Sequence, residues 1–292
     1  MAEVDTAWYD NQYNNRQRVP DFAKFLERWA KASVLTRKKL RPRVDLAYGA
    51  SAAEKLDVFA AATGPLNVPR SAAPVLVFIH GGYWRSLDKA EHSFIAPAFV
   101  QAGAAVVVIN YGLCPAVTMA EIALQCSQAL TWVWRNAASF GGNPDHIVLA
   151  GHSAGAHLAA MLMACDWTKV GADLPPDLVR GAVGISGLYD LALLQQTPFL
   201  QADLRLTASD VPRLSPAGFA APAGPFHALV GADESEEFVR QNQLIRDRWG
   251  ARAVPVCETL PGHHHFSVLS DLVNPTGLSH GHALRLLGLD GR

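Results

Sequence analysis

Short apolar runs recur through the middle of the chain without strict polar alternation: Val75–Ile79, Ala105–Ile109, Ile147–Ala150, Val179–Ile185, Ala228–Val230 and Val254–Glu258. Between them lie stretches with helical spacing, at Lys89–Ala102, Met119–Ala138, Ala154–Ala164 and Ser235–Trp249. Apolar strands separated by helices predict a mostly parallel sheet buried on both faces, the α/β class. Two further strands are expected near Val44–Tyr48 and Leu56–Ala60. Upstream, Phe22, Phe25, Leu26 and Trp29 share one helical face, with Asp21 as the expected cap. Trp8 to Asn15 is polar and aromatic without a period and reads as a packed arm rather than a regular element. Leu188–Pro225, rich in Pro, Ala and Leu, reads as an insertion that caps a site. The expected organisation is one domain over residues 1–292, with an N-terminal arm and helix (1–42) and a small cap (188–225).

Composition narrows the class. Half of the 292 residues are apolar, enough for a large core and against intrinsic disorder. Lys and Arg number 25 against 26 Asp and Glu, which lacks the basic footprint of a nucleic-acid binder. The longest apolar runs, Pro74–Ile79 and Ala104–Ile109, are strand-length, so no membrane span is expected. The start, Met1 to Asp5, is acidic and carries no signal-peptide hydrophobic region, and the expected location is the cytoplasm. Cys114, Cys126, Cys165 and Cys257 are scattered and read as small buried hydrophobes, not as a zinc site or a disulfide framework. Seven basic residues between Arg28 and Arg43, with no acidic one, read as a solvated helix face.

The chemistry sits at the ends of the apolar runs. Gly151-His152-Ser153-Ala154-Gly155 lies where a strand turns into a helix, the setting of a nucleophilic serine on a strained turn. His80-Gly81-Gly82-Tyr83-Trp84 follows Val75–Ile79, and its backbone can approach a ligand oxygen closely. Gly82 and Tyr83, with Ala154 after the serine, are the expected oxyanion donors, and Gly81 gives the turn its freedom. An acid and a histidine should follow the serine in that chain order. Asp233 is the chosen acid; Glu234, Glu236 and Glu237 are assigned to the following helix, and Asp190 stays open as a rival. The base comes from His263-His264-His265, with His265 preferred to His264. Three consecutive histidines do not converge on one ion, and no metal is expected.

With these motifs in place, the sequence resembles the kynurenine formamidases (arylformamidases), an α/β-hydrolase family close to the hormone-sensitive-lipase-like esterases. The Tyr83-Trp84 ending of the glycine loop is the specific mark. Tyr9 to Asn15, Asn110 to Pro115, Gly151 to Leu158, Asp233 to Ser235 and His265 to Ser267 are also similar. The resemblance implies an α/β-hydrolase fold and a triad of Ser153, Asp233 and His265. It implies hydrolysis of an N-formyl arylamine, N-formyl-L-kynurenine above all, through a formyl-enzyme and without a cofactor. The partner would be a small aromatic molecule, neither nucleic acid nor membrane, with homo-oligomerisation left open. Tyr83, Trp84, Phe199, Phe219 and Phe266, with Tyr13, are the aromatic residues expected to line the leaving-group side. Carboxylesterase or other arylamidase activity is the alternative, and a non-catalytic ligand-binding relative is a third.

Overall fold

The structure, a computed structural model, describes residues 6–62 and 72–291; the acidic start Met1–Asp5 lies outside the described residues. Eight strands form one sheet: β1 (Arg43–Ala47), β2 (Lys55–Phe59), β3 (Ala73–Ile79), β4 (Ala105–Ile109), β5 (Gly142–His152), β6 (Val179–Ile185), β7 (Phe226–Gly231) and β8 (Val256–Leu260). Their order is β1-β2-β4-β3-β5-β6-β7-β8, with β2 antiparallel to both neighbours and the other pairings parallel. Because β3 lies between β4 and β5, the chain leaves it in one direction and returns on its other side. That reversal opens a crevice at the carboxyl ends of β3 and β5, the place where open α/β sheets bind ligands.

The continuous apolar runs have a simple cause. Val75, Val77 and Ile79 of β3 face one helical layer, and Leu76 and Phe78 face the other. Both sets are fully buried, so neither face of the strand can carry a polar residue. The first layer holds α5 (Met119–Asn136), α6 (Ala154–Met163) and α11 (Glu236–Ala253). The second holds α3 (Phe22–Leu40), α4 (Ala96–Ala102), α12 (Val268–Val273) and α13 (Leu278–Leu286). No helix among the described residues is long and apolar enough to cross a membrane.

Several sequence expectations need correction. The segment Trp8 to Asn15 is helical: α1 spans Thr6–Tyr13 and α2 spans Asn15–Arg18. It shows no hydrophobic period because α1 buries only its last residues, Gln12 and Tyr13. Asp21 precedes α3 but makes no side-chain cap. Within Lys89–Ala102, only Ala96–Ala102 is α-helical, because Pro97 belongs in a first helical turn. Two 3₁₀ turns, Lys89–Glu91 and Ser93–Ile95, precede it, the first closed by a capping box from Asp88 and Glu91.

Residues 188–225 fold as three short helices, α8 (Ala192–Gln195), α9 (Pro198–Leu204) and α10 (Asp210–Leu214), following the single turn α7 (Trp167–Val170). Their leucines (Leu194, Leu200, Leu204 and Leu214) are buried in the first layer. Pieces this short cannot show a helical period, which explains the weak pattern. The His157 Nε2–H donates to the Leu214 carbonyl at 2.7 Å and ties α10 to α6.

One buried ion pair braces the glycine loop from below. The Lys89 ammonium lies 2.6 Å from Asp57 on β2 and 2.9 Å from Asp45 on β1. The Lys89 and Asp57 side chains are only 6% and 1% exposed. The Lys89 amide also donates to Asn110 Oδ1 at 3.1 Å, and the same oxygen accepts from His80 at 3.2 Å. Removing Asp57 leaves the buried Lys89 ammonium with only the exposed Asp45 as its partner. Asp57→Ala should therefore lose about 3–5 kcal/mol in denaturant unfolding, while the exposed partner variant Asp45→Ala should lose far less.

Candidate active site

Ser153 stands between β5 and α6 at φ 56° and ψ −119°, a left-handed backbone that a side chain adopts only under strain of about 1–3 kcal/mol. Its amide donates to the Ile185 carbonyl at 2.8 Å, which fixes the turn to β6. The turn is tight enough that a Cβ at Gly155 would lie 2.0 Å from the Ile79 carbonyl oxygen. A glycine is therefore required there by close approach of α6 to β3.

The loop after β3 lies against this elbow. A Cβ at Gly81 would lie 3.1 Å from the Ser153 Cβ, so the loop backbone passes directly beside the serine. Gly82, Tyr83 and Trp84 then take positive φ in succession, at 103°, 51° and 56°. The Gly82 and Tyr83 amides have no acceptor among the described residues. The Ala154 amide opens α6, where helix geometry supplies no acceptor either. His80 holds the loop from beneath, stacked on Tyr111 with ring centres 4.3 Å apart. Burial pushes its pKa down.

His265 and a buried carboxylate lie next to each other across the β7 and β8 loops. His265 Nδ1 lies 2.6 Å from Glu234 Oε2, with the two side chains 7% and 0% exposed. The carboxylate's other oxygen accepts the Gly231 amide at 2.9 Å and the Ser186 hydroxyl. The expected acid, Asp233, is exposed instead, and its amide bonds to the His263 carbonyl at 3.0 Å. The tight turn in which the Glu234 amide donates to Gly231 aims residue 234, not 233, at the imidazole. Asp190 is also elsewhere, with Oδ1 accepting the Ala192 amide at 3.0 Å. His264 is occupied as an acceptor, its Nδ1 taking the Phe266 and Ser267 amides at 3.2 and 3.3 Å.

A carboxylate accepts only, so the His265 Nδ1 carries a proton, and the neutral tautomer this bond selects keeps Nε2 free as an acceptor. His152 is held in the opposite sense. Its Nε2–H donates to the His265 carbonyl at 2.9 Å. Burial first, and then the neighbouring His265, hold the His152 pKa well below its usual value.

Ser153 and His265 open onto one cavity of about 250 Å³. Tyr83, Phe199 and Phe266 line it as expected, joined by Leu26 and Trp29 from α3 and by Asn14, Asn15 and Arg16 from the arm. Two expected lining residues do not reach it. Trp84 is fully buried and packs edge-on against His157 at 4.9 Å, and Phe219 lies beyond the Pro216–Gly218 turn. Tyr13 is buried as well, with its hydroxyl donating to Glu237 at 2.9 Å and its carbonyl accepting the Tyr83 hydroxyl at 2.5 Å. The arm residues escaped sequence reading because they are polar and aperiodic; Trp29 was visible, but as a core position of its helix. Glu234 differed from the expected acid by a single loop position.

This sheet order, with a serine elbow after β5 and a carboxylate–imidazole pair after β7 and β8, defines an α/β-hydrolase. The BD-FAE family model matches residues 64–197. The candidate thioesterase of Silicibacter sp. TM1040, a crystal structure, superposes with a TM-score of 0.80 at 29% identity, covering 97% of this chain and 98% of that one. The esterase LipQ of Mycobacterium tuberculosis is 32% identical over 246 residues, 77% of this chain and 57% of that protein. The kynurenine formamidase of Danio rerio is 31% identical over 252 residues, 84% of this chain and 82% of that protein. The chain belongs to the kynurenine formamidase family, and it is a hydrolase acting on amide or ester bonds.

The elbow makes a direct stability test. Gly155→Ala forces α6 away from β3 and should cost about 1–3 kcal/mol, read as a lowered thermal midpoint together with lost activity. An unchanged midpoint would show that the helix does not press on the strand as described.

Proposed function

We propose that the protein hydrolyses the formamide of N-formyl arylamines, N-formyl-L-kynurenine being the leading substrate, with Ser153, His265 and Glu234 as its triad. The observation that carries this reading is the buried 2.6 Å contact from Glu234 to His265 Nδ1, with His265 and Ser153 lining one cavity. In this reading the bare His265 Nε2 takes the Ser153 proton as Oγ attacks the formyl carbon. Glu234 stabilises the imidazolium that results. The oxyanion meets the free Gly82, Tyr83 and Ala154 amides, each such donor supplying about 3 kcal/mol in comparable sites.

His265 then gives its proton to the departing arylamine nitrogen, and the C–N bond breaks. Water, deprotonated by the same imidazole, attacks the formyl ester; formate leaves and Ser153 regains its proton. The proximity of Gly81 to Ser153 supports a very small acyl group. Trp29, Tyr83, Phe199 and Phe266 support a flat aromatic leaving group. The names of the family's members support the same bond. Carboxylester hydrolysis is the second reading, favoured by the similarity to LipQ. The protein's partner in either case would be a small aromatic molecule.

Turnover of N-formylkynurenine, its N-acetyl counterpart and short p-nitrophenyl esters separates the two readings. Formamide preference is expected; preference for esters, or equal use of acetyl and formyl, would overturn the formamidase reading. In the same assay Ser153→Ala should abolish turnover. Glu234→Gln should lower kcat by about 10⁴-fold, whereas Asp233→Asn should stay within about threefold, as befits an exposed residue. The reverse ranking of the two acids would show that the loop is misassigned.

A further inference from the structure

Two guanidinium groups border the cavity, and they are not equivalent. Arg85, from the glycine loop, is satisfied internally. Its Nη1 lies 2.8 Å from the Phe199 carbonyl and 2.5 Å from Asp203 Oδ2, and the group sits 5.3 Å over the Phe199 ring. Its charge is neutralised by a carboxylate of α9.

Arg16, on α2, is different. It lines the cavity, is exposed, and has no carboxylate within ion-pair distance among the described residues. Its polar side-chain contact is a long one, 3.5 Å to Ser86 Oγ, and its guanidinium rests 5.4 Å from the centre of the Phe22 ring. A planar cation stacked on a ring keeps its in-plane donors free for a bidentate acceptor.

The surroundings give the charge a direction. On the other side of Asn15 and His265 lies an outer cleft of about 570 Å³ whose walls include Asp21 and Asp233. Arg18 lines that cleft as well, so it holds both signs of charge, whereas the inner cavity is bordered by Arg16 and Arg85 and by no carboxylate among the described residues. The arm is held in place for this purpose by Tyr13, whose hydroxyl bonds to Glu237 and whose carbonyl receives the Tyr83 hydroxyl. Arg16 is thus positioned relative to the glycine loop through the hydrogen bond between Tyr83 and Tyr13.

We propose that Arg16 is a specificity-determining residue that receives a carboxylate on the leaving-group end of the substrate. The site then prefers aryl formamides or esters whose aromatic amine or phenol carries an acidic substituent, over neutral ones of the same size. This rests on the hydrolase reading above but not on the choice between formamide and ester.

The test is a matched comparison of charged and neutral substrates in wild-type protein, Arg16→Gln, Arg16→Lys, Arg16→Glu and Arg85→Gln. The formamide pair is N-formylanthranilate and N-formylaniline; the ester pair is 3-acetoxybenzoate and phenyl acetate. Arg16→Gln should lower kcat/KM for the charged member about tenfold more than for the neutral one, chiefly through KM. Arg16→Lys should recover part of the difference and Arg16→Glu should enlarge it. Raising ionic strength should shrink the preference in wild type but not in Arg16→Gln. Arg85→Gln, which loosens Phe199, should affect both members alike. Equal losses on charged and neutral substrates, or no loss on either, would overturn the proposal. If only the ester pair is hydrolysed, the formamidase reading fails while the ester pair still decides the role of Arg16.

Discussion

The chemistry of this site hangs on one contact, the hydrogen bond from His265 Nδ1 to the buried Glu234 carboxylate. A neutral imidazole has one proton and two nitrogens, and the acid decides which nitrogen keeps it. With the proton held on Nδ1, the nitrogen left bare is the one available to a serine. The carboxylate is itself pinned, by the Gly231 amide and the Ser186 hydroxyl on its second oxygen. Ser186 sits at positive φ where β6 ends, and its amide bonds to Leu229 of β7. The sheet therefore fixes the carboxylate, the carboxylate fixes the imidazole, and the ring's orientation follows from strand pairing several residues away.

The serine is positioned by a different constraint, steric rather than electrostatic. Its backbone is strained, and the strain is tolerated because α6 packs onto β3 too closely for a side chain at Gly155. The same packing brings the glycine loop beside Ser153 and leaves the Gly82 and Tyr83 amides without acceptors. Unpaired amides near a nucleophile are costly in a ground state and useful to a developing oxyanion. The Lys89–Asp57 pair holds this loop from below through Asn110 and His80, so stability and readiness for chemistry share one network.

Much of this was legible in the sequence, for physical reasons that can be named. Ala105–Ile109 was found at its observed boundaries because it is apolar on both faces and so cannot be mistaken for an amphipathic helix. Gly81, Gly82 and Gly155 mark the tight turns that set Ser153 beside the loop, because those turns admit no larger side chain. The carboxylate beside His265 carries no such mark. Asp233 and Glu234 are adjacent carboxylates in a loop, where no period tells which one faces inward, and the Gly231–Glu234 turn settles it. Aromatic identity misled at Trp84, which fills the core against His157, and at Phe219, which lies away from the cavity. The arm was hardest to read, since α1 and α2 are short, polar and held by scattered contacts such as Tyr13 to Glu237.

The chemistry of His265 turns on where a single proton resides, and nitrogen NMR of histidine-labelled protein near neutral pH reads it directly. His265 should show a protonated Nδ1, with a downfield proton resonance, and an unprotonated Nε2. That resonance should move or vanish in Glu234→Gln and persist in Asp233→Asn. A neutral His265 carrying its proton on Nε2, or a resonance lost with Asp233 and kept without Glu234, would show that Glu234 does not hold the imidazole.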